Sequence, residues 1–129
     1  MSPDLRRTRG ALGERIAAEH LARHGYEIVD RNYRVARGEI DIVACDSAAL
    51  VFCEVKTRVA GGRHGPPLPL DAVGPAKRRR LRMLATRWLQ ERRAELGAPW
   101  RERLRFDAIG VTLAPGGGLI GLEHVEDAF

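Results

Sequence analysis

The sequence predicts an α/β sandwich, in which a mixed β-sheet is flanked by helices in the order α-β-β-β-α-β-β. Helical periodicity occupies residues 11–24 and returns after Pro75, whereas the segments between and after these helices have the alternating or apolar pattern of strands. A length of 129 residues suits one domain with a substantial core and is too short for two. We therefore expect a flexible basic leader at residues 1–10 and a single domain at residues 11–129.

The composition restricts the classes of function. Apolar content of 44% and charged content of 30% are typical of a soluble globular protein. The net charge of +5 and a pI near 10.0 favour a polyanionic partner, of which nucleic acid is the simplest. Cys45 and Cys53 lack the spacing of a zinc site and are expected to be small buried side chains in a reducing compartment. Because no apolar run approaches ~20 residues and no signal-peptide core is visible, we expect a cytoplasmic protein without a membrane partner.

The first helix, at residues 11–24, is followed by Gly25, a typical residue after a helix end. The inner stripe of this helix is small and apolar: Ala17, Ala18 and Leu21. Glu14 falls on the same stripe, which is unusual because acids are rarely buried. Either Glu14 interacts with the free backbone N–H groups at the helix start, or it delivers a carboxylate to a site on the sheet.

A β-hairpin is predicted from residues 39–45 and 50–57, which alternate and are rich in β-branched and aromatic side chains. The loop between them, residues 46–49, places Cys45 opposite Leu50. A short strand is also expected at residues 26–29, and residues 30–34 are expected to lead from it into the hairpin. One face of the hairpin is apolar and is assigned to the core: Ile40, Ile42, Val51, Cys53 and Val55.

The other face of the hairpin carries charges. The same register sets Asp41 opposite Glu54 and Lys56 opposite Glu39, with Cβ atoms about 5 Å apart. Two opposed carboxylates repel unless a positive group lies between them, and a divalent cation such as Mg²⁺ prefers carboxylate oxygens. The alternative is a solvated ion-pair cluster in which Lys56 neutralises Glu39 and Asp41.

Lysine is rare in this chain, since Arg occupies twenty of the twenty-two basic positions and only Lys56 and Lys77 are Lys. A compact ammonium whose pKa can fall suits the activation of a water molecule. The Arg bias is equally compatible with codon bias. The spacing Asp-x(12)-Glu-x-Lys from Asp41 to Lys56 resembles the PD-(D/E)XK nuclease signature.

The second half of the chain opens with a Pro- and Gly-rich loop at residues 59–75, of the length that is often functional. Pro75 then begins a helix whose inner stripe includes Lys77, Leu81, Leu84, Ala85, Trp88 and Leu89. The segment from Lys77 to Arg105 contains eleven basic and three acidic residues. The outer helix face is therefore either a solvated surface or a surface that binds the phosphates of a nucleic acid. Trp100 is assigned to the edge of the core, with base stacking as the alternative.

Two strands close the chain, at residues 104–113 and 119–125, joined by a turn that contains Gly116, Gly117 and Gly118. The turn is not a phosphate loop, because no Gly-Lys-Ser/Thr follows it. Asp107 in the first of these strands is interpreted as structural and not catalytic.

With these motifs the chain resembles the YraN-like family of small bacterial proteins, which have a restriction-endonuclease-like fold and are related to archaeal Holliday junction resolvases. The resemblance covers nearly the whole chain. It rests on Gly13-Glu14, Gly25-Tyr26, Asn32-Tyr33-Arg34, Gly38-Glu39-Ile40-Asp41-Ile42, Val51-Phe52-Cys53-Glu54-Val55-Lys56-Thr57-Arg58, Lys77, Arg105-Phe106-Asp107 and Ala128-Phe129. Cys53 stands where the family more often has Val, an apolar exchange that leaves the site intact.

The resemblance implies a metal-dependent nuclease. Asp41, Glu54 and the carbonyl of Val55 would ligate Mg²⁺ or Mn²⁺, with Glu14 as the helix acid that resolvase-like relatives contribute. Lys56 would orient or deprotonate the attacking water. The backbone of the nucleic acid would be held by basic residues, for which we name Arg58, Lys77, Arg78, Arg79 and Arg82.

Three functions follow from this sequence. The first is hydrolysis of phosphodiester bonds in DNA, with branched or damaged structures as the implied substrates; a homodimer would suit a symmetric junction. The second is a non-catalytic nucleic-acid-binding module with the same fold. The third is a scaffold protein whose basic helix binds an acidic protein.

Overall fold

The computed structural model describes residues 3–61, 74–96 and 103–129. Within them the chain forms seven elements: α1 (Pro3–Arg23), β1 (Glu27–Val35), β2 (Gly38–Cys45), β3 (Ala49–Val59), α2 (Pro75–Leu96), β4 (Arg103–Leu113) and β5 (Leu119–Val125). Their order confirms the one predicted from the sequence.

The five strands form one mixed sheet in the order β1-β2-β3-β4-β5. Neighbouring strands are antiparallel except β3 and β4, which run parallel along their whole length from Ala49↔Arg103 to Val59↔Leu113. A parallel pair needs a crossover connection, and here that connection contains α2. The predicted mixed α/β sheet is therefore confirmed.

Each face of the sheet packs against one helix, so the core has two layers. The layer under α1 consists of Ala17, Ala18, Leu21, Ile42, Ala44, Ala49, Val51, Cys53, Ile109, Val111 and Leu113. The layer under α2 consists of Tyr33, Ile40, Val43, Cys45, Leu50, Phe52, Leu81, Leu84, Ala85, Trp88 and Phe106. The apolar residues of both expected helix stripes therefore lie in the core or pack against it, whereas Lys77 pairs with Glu54. The paired part of the hairpin, residues 42–45 and 50–53, is buried on both faces.

The first helix begins at Pro3 and not at residue 11, so most of the segment assigned to a leader is helical. Pro3 suits the start of α1, because proline is favoured in the first turn of a helix. The helix continues through Gly10. Gly13 allows a close approach to the sheet, because a Cβ built there would overlap Thr57 Oγ1 and lie 2.9 Å from Thr57 Cβ. This approach brings the next residue, Glu14, down onto β2 and β3.

The strand β1 is also longer than predicted, since residues 30–34 continue it and do not form a separate lead-in to the hairpin. The pairing with β2 shifts register between Ile28 and Asp30. Asp30 accepts a hydrogen bond from the buried Trp88 indole at 2.8 Å, so β1 is fixed to α2. Antiparallel pairing with β2, from Arg31↔Ile42 to Val35↔Gly38, holds residues 31–35 in the strand. The local sequence alone does not predict this extension, because strand formation depends on the neighbouring strand.

Two interpretations from the sequence fall on residues outside the described ranges. They are the central part of the loop at residues 59–75 and the side chain of Trp100. Within the described ranges, neither helix combines the length and apolar character needed to cross a membrane.

Candidate metal site at a fork in the sheet

The site lies where β2 and β3 diverge. Their ladder confirms the predicted pair Cys45↔Leu50 and ends at Ile42↔Cys53. Beyond that point β2 continues beside β1, and β3 continues beside β4. The gap between two diverging strands exposes backbone groups that the ladder would otherwise pair.

Asp41 occupies this gap. Its Oδ2 accepts a hydrogen bond from the backbone N–H of Val55 at 2.7 Å, which replaces the missing ladder contact. The expected pair Asp41↔Glu54 is not part of the ladder, because the strands have already parted. Asp41 is 7% exposed, so its carboxylate is held in a fixed position and largely removed from water.

The alternation of β2 reverses beside Asp41. Ile42 packs in the layer under α1, whereas Ile40, which was expected to share its face, packs in the layer under α2. The register places Asn32 of β1 across from Asp41, and Asn32 adopts a positive φ of 54°. Asn tolerates this conformation better than most residues, and the irregularity turns two successive acids of β2 toward α1.

Three carboxylates meet on that side of the fork. Oxygens of Glu14 from α1 and of Glu39 and Asp41 from β2 all lie within 4.8 Å of one another. We call these three residues the acid cluster. A set of carboxylate oxygens at this separation has the donor chemistry that suits Mg²⁺ or Mn²⁺.

The electrostatics of the acid cluster are unfavourable without a cation. Burial, together with the carboxylates of Glu14, Glu39 and Glu54, raises the pKa of Asp41 to about 7, although the Val55 N–H opposes the increase. Burial and Glu39 also raise the pKa of Glu14, against the effects of two nearby arginines and a hydrogen bond from Asn32. A raised carboxylate pKa means that the ionised form is destabilised in the folded protein.

Glu54 lies beside two lysines at the same fork. Its Oε1 is 3.5 Å from Lys56 Nζ and pairs more closely with Lys77 at the start of α2. The expected facing of Lys56 and Glu39 is wrong, because Glu39 instead pairs with Arg34 at 2.9 Å. The site therefore has the acid cluster under α1 and, on β3, a carboxylate that is paired with two lysines.

The five basic residues named for nucleic-acid contact have different surroundings. Arg78 and Arg79 are exposed on α2. Lys77 is held by Glu54, and Arg58 donates to Thr112 Oγ1 at 2.8 Å. Arg82 contacts the backbone carbonyl of the last residue at 3.3 Å and lies over the Phe106 ring, so part of its role is to hold the end of the chain.

Asp107 belongs to a separate buried network on β4. It is 0% exposed and accepts hydrogen bonds from the Arg105 guanidinium at 2.9 Å and from the backbone N–H of Asp127 at 3.1 Å. His124 Nε2 is 2.8 Å from its carboxylate. Burial alone would raise the pKa of Asp107, but these partners together hold it below its ordinary value.

Two members of the site were not found from the sequence. Glu39 was assigned to an ion pair with Lys56, and Asn32 was recorded only as part of a motif. The separation of Glu39 and Asp41 by two residues is a signal that both belong to one face of a strand. The positive φ of Asn32 has no comparable signal in the sequence.

Comparison with known proteins identifies relatives across almost the entire chain. The model of the family described as "Uncharacterised protein family UPF0102" matches residues 13–111. A UPF0102 protein of Rhodococcus jostii is 44% identical over 120 residues, which cover 93% of this chain and 94% of the relative. UPF0102 proteins of Frankia casuarinae and Streptomyces griseus are 46% and 48% identical over 121 residues, with at least 92% of each chain covered. These matches confirm the resemblance to YraN-like proteins, and the chain belongs to the UPF0102 family.

Proposed function

We propose that the chain is a divalent-metal-dependent nuclease, built on a restriction-endonuclease-like core, that hydrolyses phosphodiester bonds in DNA. The observation that carries this proposal is the meeting of Glu14, Glu39 and Asp41 within 4.8 Å at the fork between β2 and β3. A buried acid with two more acids beside it costs free energy in the folded protein, and a bound cation would offset that cost.

The residues present fit Mg²⁺ or Mn²⁺. Glu14, Glu39 and Asp41 would hold the ion, with the Val55 N–H fixing Asp41 and with Glu54 available after exchange of its lysine partners. When bound, such an ion lowers the pKa of water and offsets charge on a phosphate.

The lysines supply the remaining functions that hydrolysis requires. Lys56 has a half-exposed ammonium, 3.5 Å from Glu54, that could donate a hydrogen bond to the attacking water or neutralise a phosphate oxygen. A water oxygen would lose a proton to solvent and form the new bond to phosphorus as the bond to the leaving oxygen breaks, and the leaving oxygen would take up a proton from solvent. Lys77 neutralises Glu54 in the absence of substrate and keeps this carboxylate oriented toward the fork.

Cleavage of labelled DNA tests the proposal. Four-way junction, flap, nicked, single-stranded and duplex DNA are each incubated with the purified protein and Mg²⁺, Mn²⁺ or EDTA. We expect metal-dependent cleavage of at least one structure, and Asp41→Asn should lower the rate by at least about 100-fold because it removes a preorganised charge. Asp46→Asn, in the hairpin loop, is the matched control and should retain activity. Cleavage that persists in EDTA, or in Asp41→Asn, would reject the metal mechanism.

A second function has an observation in its favour. Glu54 is neutralised by Lys56 and Lys77, and Glu39 by Arg34, so much of the acidic charge has a partner without a metal. A non-catalytic module that binds nucleic acid would have such a site. It predicts DNA binding that weakens with salt, is indifferent to EDTA and is accompanied by no cleavage of any substrate.

A further inference from the structure

A basic pocket lies between the turn from β1 to β2 and the first half of α2. It is open, has a volume of about 580 Å³ and is lined by six residues: Ala36, Arg37, Ala76, Arg79, Arg80 and Met83. The residues from α2 follow helical spacing and so share one face. We call this the turn–helix pocket; of its arginines, only Arg79 was among the basic residues named from the sequence.

The arginines of the turn–helix pocket are available to a ligand. Arg37, Arg79 and Arg80 are all exposed, and within the described ranges none of them forms an ion pair. Two other cations of α2 do have acidic partners: Lys77 pairs with Glu54, and Arg87 pairs with Glu91 at 2.7 Å. Three guanidinium groups around one depression form a local positive field that suits phosphate oxygens.

The lining also contains apolar surface. Met83 is 52% exposed, although it lies on a helix face that is otherwise strongly basic. Together with Ala36 and Ala76 it lines the pocket between the guanidinium groups. A flexible thioether packs well against sugars and planar bases. A ligand with both phosphate and apolar parts matches this lining better than a simple anion does.

The pocket is close to the acid cluster. Arg80 packs over Gly38, where a Cβ would lie 3.4 Å from Arg80 Cδ, and Gly38 immediately precedes Glu39. Gly38 and Asp41 are three residues apart on β2, which corresponds to about 10 Å of strand. The acid cluster faces α1 and the pocket faces α2, so a bound strand would pass around the turn between β1 and β2 to reach both.

We infer that the turn–helix pocket binds a short segment of the DNA strand whose reacting phosphate lies at the acid cluster. Arg37, Arg79 and Arg80 hold the backbone phosphates, and Met83 contacts the sugar or base. The assignment of the strand rests on the proposed nuclease function. Binding to the pocket does not, because it requires neither metal nor cleavage.

Fluorescence anisotropy with a short labelled oligothymidylate in EDTA tests the inference. The pocket variant combines Arg37→Gln, Arg79→Gln and Arg80→Gln, and the control variant combines Arg15→Gln, Arg23→Gln and Arg103→Gln, three exposed arginines elsewhere. Both variants lose the same formal charge. We expect the pocket variant to bind the oligonucleotide at least about tenfold more weakly. The slope of log K against log salt concentration should become shallower by about 2, because each of three lost phosphate contacts contributes ~0.7. The control variant should differ from the wild type by less than about twofold.

Two further measurements make the result decisive. Met83→Ala should weaken binding without changing the salt slope, because it removes an apolar contact and no charge. Equal weakening by the pocket and control variants, at equal unfolding midpoints, would overturn the inference in favour of a general positive field. Displacement of the oligonucleotide by polyglutamate at matched charge would overturn it in favour of an acidic protein partner.

The pocket and the nuclease proposals can fail independently. Pocket-dependent binding by a wild type that cuts no DNA would leave the pocket assigned and reject the nuclease. Metal-dependent cleavage with DNA affinity unchanged in the pocket variant would reject only the pocket.

Discussion

Asp41→Asn should stabilise the metal-free protein at pH 8 by up to about 4 kcal/mol. The fold holds the pKa of Asp41 at about 7, against an ordinary value of 3.8, because the carboxylate is buried beside Glu14, Glu39 and Glu54. Each unit of pKa difference corresponds to about 1.4 kcal/mol, so the ionised form at pH 8 carries a cost that a neutral amide does not. The amide oxygen can still accept the Val55 N–H.

The pH dependence follows with a definite sign. Between pH 3.8 and about 7 the folded protein binds more protons at Asp41 than the unfolded chain does, so wild-type stability falls as the pH rises through this window. The stability of Asp41→Asn should not fall in this way, so the free energies of unfolding of the variant and the wild type should become equal near pH 4. Urea unfolding in EDTA at several pH values measures the difference.

Asp46→Asn is the matched control for this prediction. The Asp46 carboxylate accepts hydrogen bonds from the N–H groups of Ala48 and Ala49 at 2.8 Å, which lower its pKa. Asp46→Asn should therefore lower the free energy of unfolding at pH values above the ordinary pKa of an aspartate. This change is opposite in sign to the one expected for Asp41→Asn. An Asp41→Asn protein that is no more stable than the wild type at pH 8 would show that Asp41 is not an electrostatically unfavourable group.

Asp107→Ala should destabilise the protein by about 3–5 kcal/mol, since it removes the buried carboxylate from the Arg105 charge and leaves only Tyr26 and the exposed Glu126 beside it. The Arg105 side chain is 8% exposed and would lose its hydrogen bonds to both Asp107 oxygens, while the N–H of Asp127 would lose its acceptor. Removal of both charges in Asp107→Ala with Arg105→Met should recover much of the loss. Chemical unfolding of the single and double variants measures the coupling.

Arg103→Ala provides the control on the same strand. Arg103 pairs with Asp127 at 2.7 Å, but both side chains are more than half exposed, so we expect a loss below about 1 kcal/mol. A catalytic role of Asp107 would give the reverse pattern, with unchanged stability of Asp107→Ala and loss of cleavage.

The sequence predicted the order of elements because the decisive patterns are local. The alternating strands of the hairpin, the small inner stripe of α1 and the Leu-Trp stripe of α2 each lie within one continuous segment. The start of α1 at Pro3 was missed because Gly10 lies within the helix without ending it, and residues 30–34 were missed because pairing with β2 decides the extent of β1.

The site was only partly predictable for a physical reason. Counting from the loop assumes that the hairpin remains paired, whereas the ladder between β2 and β3 ends at Ile42↔Cys53, beyond which β2 pairs with β1 and β3 pairs with β4. The divergence puts Asp41 in the fork and moves Glu39 toward Glu14. The spacing of Glu39 and Asp41 indicates only that they share a face, because the divergence depends on the pairing of β2 with β1 and of β3 with β4.

Long-range contacts explain the remaining differences. The role of Asp107 depends on His124 and Asp127 from the end of the chain, and the turn–helix pocket joins Arg37 to residues more than thirty positions later. Spacing within a segment carries no information on either arrangement. The positive charge of the second helix was visible in the sequence, but the distinction between paired and available cations needed the fold.

Calorimetric titration of Mn²⁺ into the wild type and into Asp41→Asn with Glu54→Gln tests the metal site most directly. It requires no knowledge of the substrate, and it is repeated with bound DNA because Mg²⁺-type sites often use phosphate oxygens as ligands. The account predicts binding by the wild type that disappears in the double variant. Absence of binding by the wild type, both alone and with DNA, would contradict it and would leave the acid cluster as a set of ion pairs and protonated acids.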